Sequence, residues 1–186
     1  MKPKVFLIAC SSMLLSCCSG NVIKQNEREL QKFISDSVII PFELAESDVF
    51  GKETKSTEPI KYWLIYYIES VSCTACEISK LAEHEILSQS DSTFQYISFV
   101  YIFDVDKHLK DDVHSMLCRY RIKSPAYIDT EKIFKKNNPS FPRSALLHTF
   151  LIDSHGHVIL AGDPFLNKNI MNLMKERLKN SGSELL

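Results

Sequence analysis

Two hydrophobic patterns alternate along the chain. Residues 60–68 and 94–103 are almost continuously apolar or aromatic, which indicates strands buried on both faces. Residues 74–87 and 106–120 instead carry apolar side chains every three or four positions, as amphipathic helices do. Further along, the pattern predicts a strand, a short helix, two hairpin strands and a final helix, at residues 126–128, 130–136, 146–152, 158–161 and 167–178. This order predicts an α/β fold whose central sheet is parallel, with right-handed crossovers and an antiparallel hairpin at one edge.

The helix predicted at residues 74–87 has one apolar face and one polar face. The residues expected to be buried are Ala75, Ile78, Leu81, Ala82 and Ile86. The residues expected to lie outside that face are Glu77, Lys80, Glu83 and His84. Ser72 precedes the helix and is a residue type suited to capping it.

The region before the first long strand is less regular. Residues 27–34 have helical character. Residues 38–42 predict a short strand at a sheet edge, because Pro41 has no N–H to donate to a neighbouring strand. Residues 48–59 are polar and charged, which predicts a loop.

The N-terminus has the pattern of an export signal. Lys2 and Lys4 precede an apolar stretch at residues 5–15, which is shorter than the ~20 residues that span a bilayer. The Leu-Leu-Ser-Cys sequence ending at Cys17 resembles a bacterial lipobox, in which cleavage occurs before a cysteine that then carries lipid. Cys18 and Cys10 are the alternative lipidation positions, and an ordinary secretory signal or an uncleaved anchor helix also remains open. We expect a signal peptide at residues 1–16 and a polar tether at residues 17–29.

Composition narrows the class of protein. Of the 186 residues, 45% are hydrophobic and 24% are charged, which allows a substantial core and argues against general disorder. The net charge is −1 and no basic stripe is present, so the sequence does not indicate a nucleic-acid partner. No cofactor is indicated either.

The central chemical feature is the Cys73-Thr74-Ala75-Cys76 sequence at a predicted strand–helix junction. Cysteines three residues apart in a first helical turn can form a disulfide with little backbone motion. The free N–H groups and the dipole at the helix N-terminus favour a thiolate, so we expect a lowered pKa for Cys73. Cys73 is therefore the expected attacking residue, and Cys76, one turn in and more covered, the expected resolving residue. A structural disulfide and a pair of inert thiols are the alternatives.

These residues, together with the hairpin at residues 150–158, carry a resemblance to the thioredoxin superfamily. The hairpin sequence Phe-Leu-Ile-Asp-Ser-His-Gly resembles the Phe-Leu-Ile-Asp-x-x-Gly hairpin of TlpA-like exported thiol-disulfide proteins, including lipoproteins of Bacteroides-type bacteria. The resemblance covers residues 38–179. It implies a three-layer fold with a central mixed sheet, helices on both faces and a C-terminal hairpin plus helix. The expected domain spans residues 30–180, followed by a flexible tail at 181–186.

Two positions depart from the family pattern. The family places a cis-proline just before this hairpin, where this chain has Leu147 or, with a one-residue shift, His148. The tryptophan that often precedes the first cysteine is replaced by Ser72. In the family the cis-proline shapes the substrate-binding loop and keeps metals away from the thiols. Its absence opens an alternative in which Cys73, Cys76 and His148 converge as metal ligands.

The resemblance implies a membrane-anchored thiol-disulfide oxidoreductase. Its expected partners are extracytoplasmic protein thiols or disulfides, an unidentified redox partner, and the membrane through a lipid on Cys17. The expected location is the cell envelope, facing the periplasm. A non-catalytic binding module and a metal carrier are the alternatives.

Three further side chains carry groups that can react with or bind a metal. Cys118 follows Leu117 in a predicted helix and is expected to be a buried apolar residue, with a third redox role as the alternative. His155 and His157 flank Gly156 in the hairpin turn. They are expected to be solvated, although a pair of this kind can bind metal weakly.

Overall fold

The computed structural model describes residues 16–40, 61–69 and 73–183 of the chain. The helices are α1 (Ser16–Ser35), α2 (Thr74–Ser88), α3 (Lys110–Tyr120), α4 (Ile133–Asn137) and α5 (Lys168–Ser183). The strands are β1 (Tyr62–Glu69), β2 (Ile97–Asp104), β3 (Ala126–Asp129), β4 (Thr149–Asp153) and β5 (Val158–Ala161). Single 3₁₀ turns occupy Ser92–Tyr96, Lys107–Leu109 and Ala145–Leu147.

The five strands form one mixed sheet in the order β3-β2-β1-β4-β5. Strands β1, β2 and β3 are parallel, with Tyr62 of β1 opposite Ile97 of β2. Strand β4 runs antiparallel to β1, and β5 antiparallel to β4. The expected α/β fold, with a mixed central sheet and a C-terminal hairpin followed by a helix, is therefore confirmed.

Helices cover both faces of the sheet because β1 and β2 are apolar on both sides. On one face, Leu64 and Tyr66 of β1 pack with apolar residues of α2, α3 and α5. On the other face, Ile65 and Tyr67 pack with Phe33 of α1 and with Phe134 of α4. Strand β1 is the middle strand of the sheet and lies between these two cores.

The buried face of α2 contains Ile78 and Leu81, as predicted, but it differs from the prediction towards the end of the helix. Ile86 is 66% exposed, whereas His84 and Glu85 are buried. The Glu85 carboxylate accepts hydrogen bonds from the backbone N–H of Lys123 at 3.0 Å and of Ser124 at 2.9 Å. These partners lie in the connection between α3 and β3, which the periodicity of α2 does not reveal.

Residues 38–40 contact the sheet edge without forming the predicted strand. The Val38 N–H donates to the Gly156 carbonyl at 2.8 Å, and Ser37 forms an isolated bridge with His157. The Asn138 side chain then binds both backbone groups of Ile39, each at 2.8 Å. The rest of the predicted strand, residues 41–42, and the predicted loop at 48–59 lie outside the described residues.

Both terminal helices extend beyond their predicted limits. Helix α1 begins at Ser16, so the expected tether at residues 17–29 is helical. Helix α5 reaches Ser183, which is inside the expected tail. Residues 1–15 of the expected signal peptide lie outside the described part of the chain. Among the described residues, no helix has both the length and the apolar character needed to cross a membrane.

Candidate functional site

Cys73 stands at the N-terminal boundary of α2, four residues after β1 ends at Glu69. It is the N-cap residue, with an extended backbone (φ −67°, ψ 96°) and no capping hydrogen bond from its side chain. Its carbonyl accepts the Glu77 N–H at 3.0 Å, which begins the helical ladder. The expected capping residue, Ser72, lies outside the described residues. Cys73 therefore has the strand-end, helix-start position that the sequence predicted.

The two thiols differ in acidity because they interact with each other. Hydrogen bonding from the Cys76 thiol lowers the pKa of Cys73, and the backbone N–H groups of Cys76 and Ala75 add to this effect. The same contact raises the pKa of Cys76. Cys73 is thus the more easily formed thiolate, as predicted for an attacking residue.

Solvent reaches both cysteines of the pair. Cys73 and Cys76 are each exposed free thiols, so Cys76 is not buried in the first turn of the helix. The reason is that Cys76 falls outside the buried stripe of α2, which begins at Ile78. The chemical difference between the two thiols comes from their mutual hydrogen bond and not from a difference in burial.

Lys80 is the nearest cation along α2 beyond the pair. Its ammonium bonds the Glu77 carboxylate at 2.9 Å, and both side chains are partly solvated. This pairing raises the pKa of Lys80. The lysine therefore remains charged close to the thiols, while its main partner is a carboxylate.

A groove of about 680 Å³ runs beside α2, and its lining on this helix starts at Glu77, one residue beyond Cys76. Lys80 and His84 of α2 line one side of the groove. Leu146 and His148, from the segment that leads into β4, line the other side. Leu166, from the connection between β5 and α5, lines it as well. Leu146 and Leu166 are 77% and 72% exposed, so the groove presents apolar side chains to solvent.

His148 lies immediately before β4 and is, with Leu147, one of the two positions at which the proline of the family pattern is expected. Its Nε2 lies 3.1 Å from the Pro142 carbonyl oxygen, and its ring packs against Phe141 and Tyr67 with centroid distances of 4.9 and 5.4 Å. The Tyr67 side chain belongs to the face covered by α1 and α4, opposite the face that α2 covers. Leu147 lies in the preceding 3₁₀ turn and lines the groove.

The proposed convergence of Cys73, Cys76 and His148 is therefore not seen. The imidazole of His148 points into the aromatic cluster on the far side of the sheet, and its hydrogen bond to Pro142 holds it there. Within the described residues, these three side chains do not form a group with metal-ligand spacing. The geometry gives no support to the metal-carrier alternative.

Cys118 is exposed on α3, and the prediction that it is buried is wrong. Val113 and Leu117 are the buried residues of that helix. Because Cys118 follows Leu117 by one position, the helical rotation of about 100° per residue turns its side chain away from the core.

His84 is a groove residue that the sequence did not reveal. It is only 6% exposed and stacks on Phe165 with ring centroids 4.4 Å apart. Its Nδ1 atom has no hydrogen-bond partner among the residues that the structure describes. Burial lowers the pKa of this imidazole. No signal in the local sequence distinguishes it from an exposed polar residue of an amphipathic helix, because its burial depends on packing against the β5–α5 connection.

A second polar group lies at the carboxyl ends of β1 and β2. The Tyr67 hydroxyl donates to the buried Asp104 carboxylate, and Lys135 of α4 bonds Glu69. The Lys135 ammonium also lies 3.7 Å from Asp104. Burial and the bond to Asp104 raise the pKa of Tyr67, so the phenol stays protonated. This group fixes α4 to the sheet end from which the CxxC segment departs.

Comparisons with known proteins identify similar structures only. A scan against protein-family models gives no match, and a search of curated proteins gives none. A thioredoxin-like protein in its oxidized form is 16% identical, with 70% of this chain and 90% of that chain covered and a TM-score of 0.48. A domain described as a possible thiol-disulfide isomerase from Cytophaga hutchinsonii ATCC 33406 is 13% identical, with 68% and 83% covered and a TM-score of 0.44.

Proposed function

We propose that the chain is a thiol-disulfide oxidoreductase that acts through Cys73 and Cys76 on protein thiols or disulfides outside the cytoplasm. One observation carries the proposal: two exposed thiols share a hydrogen bond at the start of α2, and this bond lowers the pKa of Cys73. A solvent-accessible thiolate beside a second thiol is the arrangement that disulfide exchange requires.

In the reductive direction, the Cys73 thiolate attacks one sulfur of a partner disulfide. A bond forms between Cys73 Sγ and that sulfur, while the other partner sulfur leaves as a thiolate and takes up a proton. Cys76 then loses its proton and attacks Cys73 Sγ, which releases the second partner sulfur. The partner disulfide gains two electrons, and the Cys73–Cys76 pair loses two as it becomes a disulfide. The same steps in reverse oxidise a partner dithiol.

The groove beside α2 is the proposed docking place for the polypeptide that carries the partner sulfur. Leu146 and Leu166 present exposed apolar surface, and Lys80 provides a charged group on the α2 side. An apolar groove of this kind favours extended segments with apolar side chains near the reacting cysteine.

Anchoring to the envelope membrane through a lipid on Cys17, on the periplasmic side, is part of the proposal. It is supported by the charged N-terminus, the short apolar stretch and the lipobox-like sequence. A lipid anchor attached at Cys17, in the first turn of α1, would keep the domain at the membrane surface.

The test is trapping of a mixed disulfide in cells. Cys76→Ala removes the resolving thiol, so Cys73 is expected to remain covalently bound to its partners, detectable as reducible high-mass species on a non-reducing gel. The double variant Cys73→Ser, Cys76→Ala is expected to form none. Cys118→Ser, introduced together with Cys76→Ala, is the matched control for an exposed thiol elsewhere and is expected to leave the trapped species unchanged. Trapped species that persist without Cys73 would contradict the proposal.

A second candidate function is a non-catalytic binding module. The observation that favours it is the replacement of the family's proline by the Leu147-His148 pair, with His148 hydrogen-bonded away from the thiols. The exposed leucines of the groove would then serve partner binding alone.

The reduction potential of the thiol pair separates these functions. Equilibration with glutathione or dithiothreitol, followed by thiol trapping, measures it directly. A value in the range of about −120 to −270 mV, which known exchange proteins occupy, supports the oxidoreductase. A value below about −300 mV, or a pair that never forms a disulfide, supports the binding module.

A further inference from the structure

The hairpin turn between β4 and β5 brings together three potential metal ligands. Asp153, His155 and His157 each offer a ligand atom, and these atoms all lie within 4.8 Å of one another. The two imidazole rings face each other at a centroid distance of 6.0 Å and an interplanar angle of 28°. Both histidines are exposed and Asp153 is partly buried, so an ion can reach the site from solvent.

The Asp153 carboxylate is fixed by the turn itself. Its Oδ1 accepts the backbone N–H groups of His155 at 2.8 Å and His157 at 2.9 Å. Its Oδ2 remains directed at His157 Nδ1, 3.2 Å away. Two atoms bound tetrahedrally at about 2.0–2.1 Å from Zn²⁺ are about 3.3 Å apart, so this spacing already suits a shared ion.

The backbone around the ligands is held in one conformation. Gly156 has φ +82°, and a Cβ at this position would lie 2.6 Å from the Val38 carbonyl oxygen. Hydrogen bonds from Gly156 to the Asp153 carbonyl at 3.1 Å and from Val38 to the Gly156 carbonyl at 2.8 Å close the turn on both sides. Rigid placement of ligands reduces the ordering cost of binding an ion.

We propose that Asp153, His155 and His157 form a binding site for a divalent transition metal, with Zn²⁺ as the expected ion. Two imidazoles and one carboxylate are ligands that Zn²⁺ accepts, and a three-ligand site leaves further positions to water. Imidazole nitrogens disfavour Mg²⁺ and Ca²⁺, which prefer all-oxygen sites.

This site is separate from the thiol pair. Asp153 lies opposite Tyr62 at the start of β1, whereas Cys73 follows the end of that strand. The eight residues of β1 span about 23 Å at roughly 3.3 Å per residue. Metal binding at the hairpin therefore needs neither Cys73 nor Cys76.

Calorimetric titration with ZnCl₂ alone tests the site, with the full chain free of any affinity tag. The variant Cys73→Ser, Cys76→Ser serves as the parent and is expected to bind one equivalent of Zn²⁺. In that background His155→Gln and His157→Gln are each expected to weaken binding at least about tenfold. His108→Gln, an exposed histidine in the 3₁₀ turn before α3, is the matched control and is expected to bind as the parent does.

Asp153 is left unchanged in these variants, because its carboxylate also holds the backbone of the turn. Circular dichroism checks that each histidine variant is folded. Co²⁺ bound to the parent is expected to show visible bands without the near-ultraviolet thiolate charge-transfer band. Equal Zn²⁺ affinity in all three histidine variants would overturn the proposed site. So would the absence of Zn²⁺ binding in the parent, which lacks Cys73 and Cys76. Neither result bears on disulfide exchange, which the trapping experiment tests separately.

Discussion

At the scale of single residues, the proposed chemistry depends on the difference in pKa between two neighbouring thiols. Cys73 and Cys76 are both exposed, so burial does not distinguish them. Their shared hydrogen bond lowers the pKa of Cys73 and raises that of Cys76. A group whose pKa is lowered is ionised at pH values where an ordinary thiol, with a pKa of about 8.5, is protonated. Cys73 therefore gains reactivity as the pH rises through its own lowered pKa.

Replacing Cys76, the hydrogen-bond donor, is expected to raise the pKa of Cys73. Cys76→Ala removes the thiol that donates to Cys73, so the midpoint of Cys73 alkylation by iodoacetamide should shift to higher pH. Cys76→Ser keeps a hydroxyl donor in the same place and should retain a lower midpoint than Cys76→Ala. Mass spectrometry of the Cys73 peptide across a pH series measures both. Identical midpoints for the wild type and the two variants would show that the hydrogen bond does not control the acidity.

At the scale of elements, α2 is attached to the fold by a buried carboxylate in addition to apolar packing. Glu85 binds the backbone of Lys123 and Ser124, and the Tyr101 hydroxyl of β2 donates to it at 3.2 Å. Glu85 thus joins the helix that carries the CxxC pair to β2 and to the segment entering β3. Its anchoring fixes the inner half of α2, while Cys73 and Cys76 at the outer end remain open to solvent.

Removal of this carboxylate is expected to be costly. Glu85→Ala leaves two backbone N–H groups and the Tyr101 hydroxyl without their acceptor, which should lower the free energy of unfolding by about 2–4 kcal/mol. Glu83→Ala, an exposed position on the same helix, should change it by less than about 0.5 kcal/mol. Urea denaturation of both variants measures the difference. A loss of similar size at the two positions would contradict a special role for Glu85.

At the scale of the whole molecule, the thiol pair and the histidine hairpin lie at opposite ends of the central strand. Cys73 follows the end of β1 at Glu69, and Asp153 pairs with its first residue, Tyr62. Residues 37–38, which follow α1, contact the hairpin turn. The chain therefore enters the domain at the hairpin end, and the proposed anchor at Cys17 precedes that entry.

Lipidation is the whole-molecule property most open to a direct test. Cys17→Ser should abolish labelling by an alkyne fatty acid and move the protein from the membrane fraction to the soluble fraction, since a covalent lipid provides the proposed attachment. Cys18→Ser is the matched control and should leave both unchanged. Labelling that is lost with Cys18 and kept with Cys17→Ser would place the lipid on the other cysteine and contradict this assignment.

The sequence by itself determined the order of the elements and the position of the thiol pair. Long apolar runs at β1 and β2 and the 3.6-residue periodicity of α2 and α3 are local signals, and the CxxC pair lies between two of them. The hairpin was predictable for the same reason, because Asp153 and Gly156 are turn residues between two short apolar segments.

Only the tertiary structure decided which polar side chains are buried and which candidate metal ligands lie close together. Glu85 and His84 are buried because distant segments, at residues 123–124 and 165, cover them, while Ile86 has no such cover and stays exposed. His148 points away from the thiols because Pro142 and the aromatic cluster hold its ring on the other face. These outcomes depend on contacts between residues far apart in the chain, which periodicity along one element does not encode.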